Sequence, residues 1–299
     1  MIKANKKKAR VILGMIIFSI ILSGCLYWGN TSIQTTYIHI NSEKMPPEFD
    51  GFTIAQVSDL HNASFGHQQE RLLKAIESAS PDIIAVTGDL IDSKHTDIEK
   101  AMDFIKGAVQ IAPVYFVTGN HEAWSNQYGD LKEQMLMVGV IILEDECVVI
   151  EYAGGSISLL GLNDPDFITL SDTFERRAMI DARLKDMSEQ RDEYTILLSH
   201  RPEMFDLYVA NHIDLVLTGH AHGGQVRLPF IGGLGAPNQG FFPEYSEGVY
   251  AEDQTKMVVS RGLGNSIIPL RINNRPELVV VVLADGQTMR YANRIPEQS

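Results

Sequence analysis

Apolar runs of about five residues recur along this chain, and each ends in a short polar cluster. The runs cover 52–57, 83–87, 114–118, 195–199 and 214–218. They are rich in Ile, Val, Leu and Thr and have the length of buried strands. The clusters that follow are Asp59 with His61, Asp89, Asn120 with His121 and Glu122, His200, and His220 with His222. Helical patterns lie between several of them. Leu72, Leu73, Ile76 and Ala79 share one helix face, and Ile98, Met102, Ile105 and Val109 share another. Strand and helix alternating in this way predict an α/β fold with a largely parallel sheet, and such sheets bind ligands beyond the strand carboxyl ends. The clusters should therefore share one edge of the sheet.

Each cluster alone has an ordinary reading. Asp-X-His occurs in solvated turns, Gly-Asp after a strand caps a helix, and Gly-His-X-His can be two surface histidines. All five in one order, each after a strand, point to a shared site. They supply two Asp, one Asn and five His. Two adjacent divalent cations need such donors: neutral imidazoles for borderline-soft ions and carboxylates for harder ones. His39, His67, His95 and His212 fall outside the clusters and read as surface or packing residues.

The series Asp-X-His, Gly-Asp, Gly-Asn-His-Glu, His and Gly-His-X-His, from Asp59 to His222, resembles the calcineurin-like metallophosphoesterases. The stretch 219–225, with Ser260-Arg-Gly-Leu-Gly264 and Arg275-Pro-Glu277, is similar to a membrane-associated bacterial branch related to UDP-diacylglucosamine hydrolases. The resemblance implies an α/β fold of two packed mixed β-sheets flanked by helices, a four-layer α/β/β/α sandwich. It implies two divalent ions, drawn from Mn, Fe, Zn or Co. Asp59, His61 and His222 would hold one, Asn120, His200 and His220 the other, and Asp89 would bridge them. Such ions lower the pKa of a shared water and clamp a phosphoryl group, so no Ser or Cys nucleophile is required. By the same resemblance His121 is the catalytic residue, donating to the phosphoryl group or protonating the leaving oxygen. Glu122 and Asp92 are candidates for orienting imidazoles or closing the loop; the ordinary reading of each is a surface carboxylate or a helix cap. Many members carry Arg after the second aspartate of Gly-Asp-X-X-Asp, where this chain has Ser93. Arg201, Arg261 and Arg271 could instead meet substrate phosphate. Arg201 and Arg271 read as surface ion pairs, and Arg261 is the candidate for binding substrate.

The amino terminus adds location. Lys3, Lys6, Lys7, Lys8 and Arg10 precede 11–28, a stretch of 18 residues without charge. As a helix it would extend roughly 27 Å, about the thickness of the bilayer's hydrocarbon core. One reading is an uncleaved signal anchor with the enzyme outside a bacterial cell membrane, its basic flank held inside. The other is a lipoprotein, because Leu22-Ser23-Gly24-Cys25 resembles a lipobox and would place a lipid on Cys25. Residues 1–30 are thus the membrane segment, 31–47 a linker and first strand, and 48–299 one phosphoesterase domain. Setting aside the five basic residues of the terminus leaves 20 against 38 acidic, a net charge near −18. That surface does not favour nucleic acid. Cys147 is the only cysteine past Cys25, so no disulfide can staple the domain.

The segment 228–244 holds four glycines and three prolines, which deny it regular structure, yet carries Phe230, Ile231, Leu234, Phe241 and Phe242. Beginning six residues after His222, it should lie beside the site. Its aromatics would meet an acyl chain or the bilayer, or fold back onto the core. The sequence as a whole indicates a dinuclear metal-dependent phosphoesterase that hydrolyses a phosphodiester or pyrophosphate bond at the membrane, in a lipid or envelope metabolite. The alternatives are a broad phosphodiesterase or phosphomonoesterase on soluble nucleotides or wall-polymer phosphates, and an inactive metal-bound binding protein of the envelope.

Overall fold

Strand Ile83–Thr87 is buried at every position, and its side chains alternate between two cores. Ile83 and Ala85 enter one and Ile84 and Val86 the other, as the strand period of two requires. The split recurs across the molecule. Ile196, Leu198, Leu215 and Leu217 join the core of Ile83 and Ala85, while Leu197 and Val216 enter a third. Two sheets therefore face each other across a shared apolar layer, and helices cover their outer faces. This is the expected α/β/β/α sandwich. The computed structural model describes residues 2–188, 193–265 and 269–286. The end of the expected domain, 287–299, lies outside the described residues, as do the side chains of the basic flank before Val11.

The first sheet runs Gln34–Ser42, Glu277–Asp285, Thr53–Val57, Ile83–Thr87, Val114–Val117 and Ile141–Ile142. Only Glu277–Asp285 against Thr53–Val57 is antiparallel. The second runs Gly248–Glu252, Thr255–Val259, Leu215–Thr218, Thr195–Leu198, Gly155–Gly161 and Glu146–Tyr152, antiparallel only at its two edges. Helices Glu70–Ala79, Ile98–Ala108 and Tyr128–Met137 cover the first sheet with Leu72, Ile76, Met102, Ile105 and Leu131. Thr173–Ser188 and Phe205–Ala210 cover the second with Ile180, Leu184 and Phe205. The two predicted helix faces are thus core faces.

Two expectations change. The clusters do not share one edge of one sheet: three follow strands of the first sheet and two follow strands of the second. The hairpin of Glu146–Tyr152 and Gly155–Gly161 opens the second sheet between them. The polar stretch after the apolar helix carries the expected first strand. It forms Gln34–Ser42, paired in parallel along its whole length with Glu277–Asp285, and its alternation is that of an edge strand with one face covered. The segment after His222 has some regular structure, two short ribbons pairing Arg227–Leu228 with Gly232–Gly233 and Gly235–Ala236 with Gly240–Phe241. Phe230, Ile231, Phe241 and Phe242 are exposed, so these four do not fold back onto the core; Leu234 is half-buried.

Helix Ile2–Thr31 precedes the sandwich. Its portion Val11–Thr31, with mean hydropathy 2.3, is long and apolar enough to cross a membrane by length and composition. That fits a membrane anchor.

Candidate active site

The loops at the strand ends are bent hard. Asp59, His61, Asp89, His220 and His222 all have positive φ, between 44° and 64°. That region costs a residue with a side chain on the order of 1 kcal/mol, and it persists where surrounding structure over-determines it. Glycine explains part of how the chain closes so tightly. A Cβ on Gly119 would collide with the Asp89 carboxylate, and one on Gly219 with Ser58 Oγ and the Asp59 carboxylate.

Two buried triads of ligand-type atoms result, Asp59 with His61 and His222, and Asp89 with His200 and His220; a third group, His61 with Asp92 and His121, adjoins them. Within the first, His222 Nε2 is 3.4 Å from Asp59 Oδ1 and 3.2 Å from His61 Nε2. Within the second, His200 Nε2 is 3.2 Å from Asp89 Oδ2 and 3.1 Å from His220 Nδ1. Asp89 Oδ2 also lies 3.5 Å from His61 Nε2, so one oxygen stands between the triads. The other, Oδ1, accepts the His121 backbone N–H at 2.8 Å. Asn120 Oδ1 and His61 Nδ1 are buried without a hydrogen-bond partner among the described residues. The structure thus places six of the seven residues read as ligands in these two triads; Asn120 lies between Gly119 and His121, both of which sit against Asp89. His39, His67, His95 and His212 are exposed, although His95 sits on the rim of the adjoining cleft.

The protonation chemistry suits cations. Burial holds His61 well below the ordinary imidazole range. Burial, then the Arg201 charge, does the same to His220, and burial brings His222 down to about 4 despite Asp59. These rings keep lone pairs at neutral pH. His200 Nδ1 donates to the Thr87 carbonyl at 2.8 Å, which turns Nε2 toward Asp89. Burial opposes charge on His200, yet the Asp89 carboxylate pushes it up to about 10. Burial likewise opposes charge on Asp89, and His200 nevertheless holds that carboxyl well below its usual range. The Asp89 carboxylate is thus what attracts positive charge here, and the donor set fits divalent ions.

The surrounding residues hold the loops. Glu122 is fully buried and accepts from the backbone N–H groups of Gly119 at 2.7 Å, Asp89 at 2.8 Å and Ile91 at 3.2 Å. Its role is the loop-closing one: it ties the Asp89 loop to the Asn120 loop, and among the described residues it makes no hydrogen bond to an imidazole. Burial, and then the Asp89 charge, pushes it up to about 7. Glu122→Ala would orphan three buried donors and should lower stability by about 3 kcal/mol or more. A thermal melt checks this; an unchanged melting temperature would contradict it.

Asp92 Oδ1 accepts from the N–H groups of Lys94 and His95, closing a turn. That turn aims the Ser93 N–H at His121 Nδ1, 3.0 Å away. Nδ1 therefore accepts, and the neutral ring carries its proton on Nε2. Ser93 thus serves through its backbone at the position where many members have Arg.

Arg201 and Arg271 are not surface residues. Arg201 makes a two-pronged pair with the buried Asp164, at 2.6 and 2.8 Å, reaches Asp166 at 3.0 Å and lies 3.1 Å from His220 Nε2. Arg271 is 1 % exposed, with its guanidinium on the Gly264 carbonyl and 3.4 Å from His222 Nδ1. Arg261 packs beside Gly223, and Glu277 and Glu247 engage its guanidinium. Asp164 was missed in the sequence, though its signal was present. It follows the apolar strand Gly155–Gly161 as part of a sixth polar cluster, Asn163-Asp164.

A cleft of about 570 Å³ opens beside the site, lined by His61, Asp92, His121 and Trp124, with Lys94 and Lys100 adding positive charge. Residues 52–224 match the family model described as calcineurin-like phosphoesterase. The chain belongs to this family. It is 30% identical over 261 residues to the uncharacterised metallophosphoesterase YkuE of Bacillus subtilis (strain 168), covering 84% of this chain and 85% of that one. It is 26% identical over 251 residues to YkoQ of the same organism, covering 82% and 88%. A transmembrane protein with metallophosphoesterase domain from Bos taurus is 27% identical over 259 residues, 83% of this chain and 56% of that protein. As a calcineurin-like phosphoesterase the chain is a metal-dependent hydrolase of phosphoesters.

Proposed function

We propose that this phosphoesterase is dinuclear and works at a membrane on a phosphodiester or pyrophosphate bond of a lipid or envelope metabolite. Asp59, His61 and His222 hold one ion, Asn120, His200 and His220 the other, and Asp89 bridges. The observation that carries this is the position of Asp89 Oδ2, 3.5 Å from His61 Nε2 and 3.2 Å from His200 Nε2. When bound, the two ions supply an activated water and Lewis-acid charge on the phosphoryl group. The chain supplies the rest. His121 offers Nε2–H as a donor to a phosphoryl oxygen, because Ser93 occupies Nδ1. Lys94 and Lys100 draw an anionic ester into the cleft. Arg201, held by Asp164, fixes the position of the His220 ring.

A panel assay decides between this reading and its rivals. Purified full-length protein loaded with Mn, Fe, Zn or Co would be offered mono-, di- and pyrophosphate esters, including lipid-linked pyrophosphates such as the resembled branch would cleave. The proposal requires metal-dependent turnover of a diester or pyrophosphate, fastest on a lipid-linked one. Firm metal binding without turnover of any ester would favour an envelope binding protein.

The membrane part rests on the apolar helix and on side chains beyond it. With its basic flank inside, the domain faces outward. Phe230, Phe241 and Phe242, among the most exposed large apolar side chains of the domain, stand on ribbons that begin just past His222. About 1.5 to 3 kcal/mol is available for each such side chain that leaves water. Changing both Phe241 and Phe242 to Ser should therefore lower activity on a lipid-borne ester in vesicles tenfold or more while sparing a small soluble ester. Equal loss on both, with a lower melting temperature, would assign them to folding instead.

A further inference from the structure

The N-terminal helix does more than precede the domain. Its last turn grips a strap of chain, 269–275, that lies against one half of the site. The Asn30 side chain pairs with the Arg271 backbone in both directions, donating to the carbonyl at 3.0 Å and accepting from the N–H at 2.7 Å. The same Nδ2 donates to the Leu26 carbonyl at 2.8 Å, which fixes the amide to its own helix. At the other end of the strap, Arg275 stacks 4.5 Å over the Trp28 ring and donates to Ser32 and Ile33. Both ends of the strap are thus held by residues that continue from the apolar helix.

The strap in turn holds two site residues. The Arg271 guanidinium grips the Gly264 carbonyl at 2.6 and 3.2 Å, and the Gly264 N–H donates to the Asp59 carbonyl at 2.6 Å. Asn274 donates to the carbonyls of His222 at 2.7 Å and Gln225 at 3.1 Å. A bridge between Val226 and Ile272 extends the contact. Asp59 and His222 both sit at positive φ and need outside support to stay there. Among the described residues, no hydrogen bond from the strap reaches Asn120, His200 or Asp89.

We infer that the last turn of the apolar helix positions the Asp59–His222 half of the site, through Asn30 and the 269–275 strap. This rests on the proposal that Asp59, His61 and His222 hold one of two ions. Asn30 and Trp28 are positioning residues and touch no reacting group. The grip lies past Cys25, so it survives whether the helix stays uncleaved or the chain begins at a lipid-bearing Cys25.

The test is a Mn²⁺ binding isotherm on full-length protein in micelles of one detergent, read from free Mn²⁺ by electron paramagnetic resonance, with amide exchange at Arg271 as a second readout. Asn30→Ala should weaken one of two ions by about tenfold, at the lower end for loss of a group supporting a ligand, and leave the other unchanged. The Arg271 amide should exchange faster. Trp28→Leu, which removes the ring under Arg275, should shift the same ion in the same direction. Tyr27→Ala, one turn back and exposed, should shift neither. Two unaltered affinities in Asn30→Ala would overturn the inference. Equal weakening of both ions with a lower melting temperature would also overturn it, since that is general loosening. Wild-type protein that binds fewer than two ions would fail the dinuclear reading itself, and the wild-type isotherm shows that before any variant is compared.

Discussion

Asp89→Ala protein should bind neither ion, whereas Asn120→Ala and His222→Ala should each weaken one. The difference follows from a single atom. Asp89 Oδ2 faces His61 and His200, which belong to different triads, at 3.5 and 3.2 Å; among the described residues the next carboxylate oxygen to both, Asp59 Oδ1, is 3.9 Å from each. Removing Asp89 Oδ2 would delete a ligand from each ion and leave Asp59 as the one carboxylate among the six remaining ligands. Asp89 Oδ1 also has a structural task, accepting the His121 N–H. Asp89→Asn separates the two effects. It can keep that acceptor and the side-chain shape but lacks the charge, so it should fold like wild type and still lose both ions. Elemental analysis of each variant after equal exposure to metal gives the count. Two ions per chain in either Asp89 variant would disprove the bridge.

His121→Ala should keep both ions and lose turnover by roughly 10²- to 10⁴-fold, the scale of a lost acid–base or charge-stabilising group. The two roles open in the sequence differ in their leaving-group dependence, and the hydrogen bonding favours one. Ser93 N–H donates to Nδ1, so the neutral ring presents an N–H, not a lone pair, at Nε2. To give up a proton there as an acid it would first have to be charged, with Nδ1 protonated against another donor. Asp92 Oδ2 is 3.6 Å from Nδ1, beyond a hydrogen bond. On the proposed mechanism His121 would thus donate to the phosphoryl group throughout. The variant should lose the same factor on nitrophenyl esters, which need no proton on departure, as on alkyl esters. A loss confined to alkyl esters would make His121 the general acid.

The parts of this account legible in the sequence share one cause. A strand that is buried on both faces is apolar throughout, so where it stops and polar residues begin is visible without tertiary information. That is why 83–87 coincides with its strand, and why six of the seven residues read as ligands, all but Asn120, cluster with their donor atoms close together. What was missed depends on partners distant in the chain. Arg201 looked like a surface residue because Asp164, which permits its burial, is 37 positions away. Arg271 is fixed by Asn30 at a distance of 241 positions, within a helix whose composition advertises only a membrane span. The assignment of strands to two sheets was hidden for a related reason. Each parallel strand declares its own end, but nothing in it says which sheet it joins; the hairpin of Glu146–Tyr152 with Gly155–Gly161 decides that. The exposed phenylalanines show the opposite limit: a glycine- and proline-rich segment fixes too little backbone for periodicity to say which way they point.

The most direct test of the central claim is metal stoichiometry measured together with turnover. Chelator-stripped full-length protein would be titrated with Mn²⁺ while bound metal and hydrolysis of a nitrophenyl phosphodiester are followed in the same sample. A dinuclear phosphoesterase predicts no turnover without metal, little with one ion bound, and full activity only as the second site fills. Full activity at one ion per chain, or turnover that survives stripping, would contradict it.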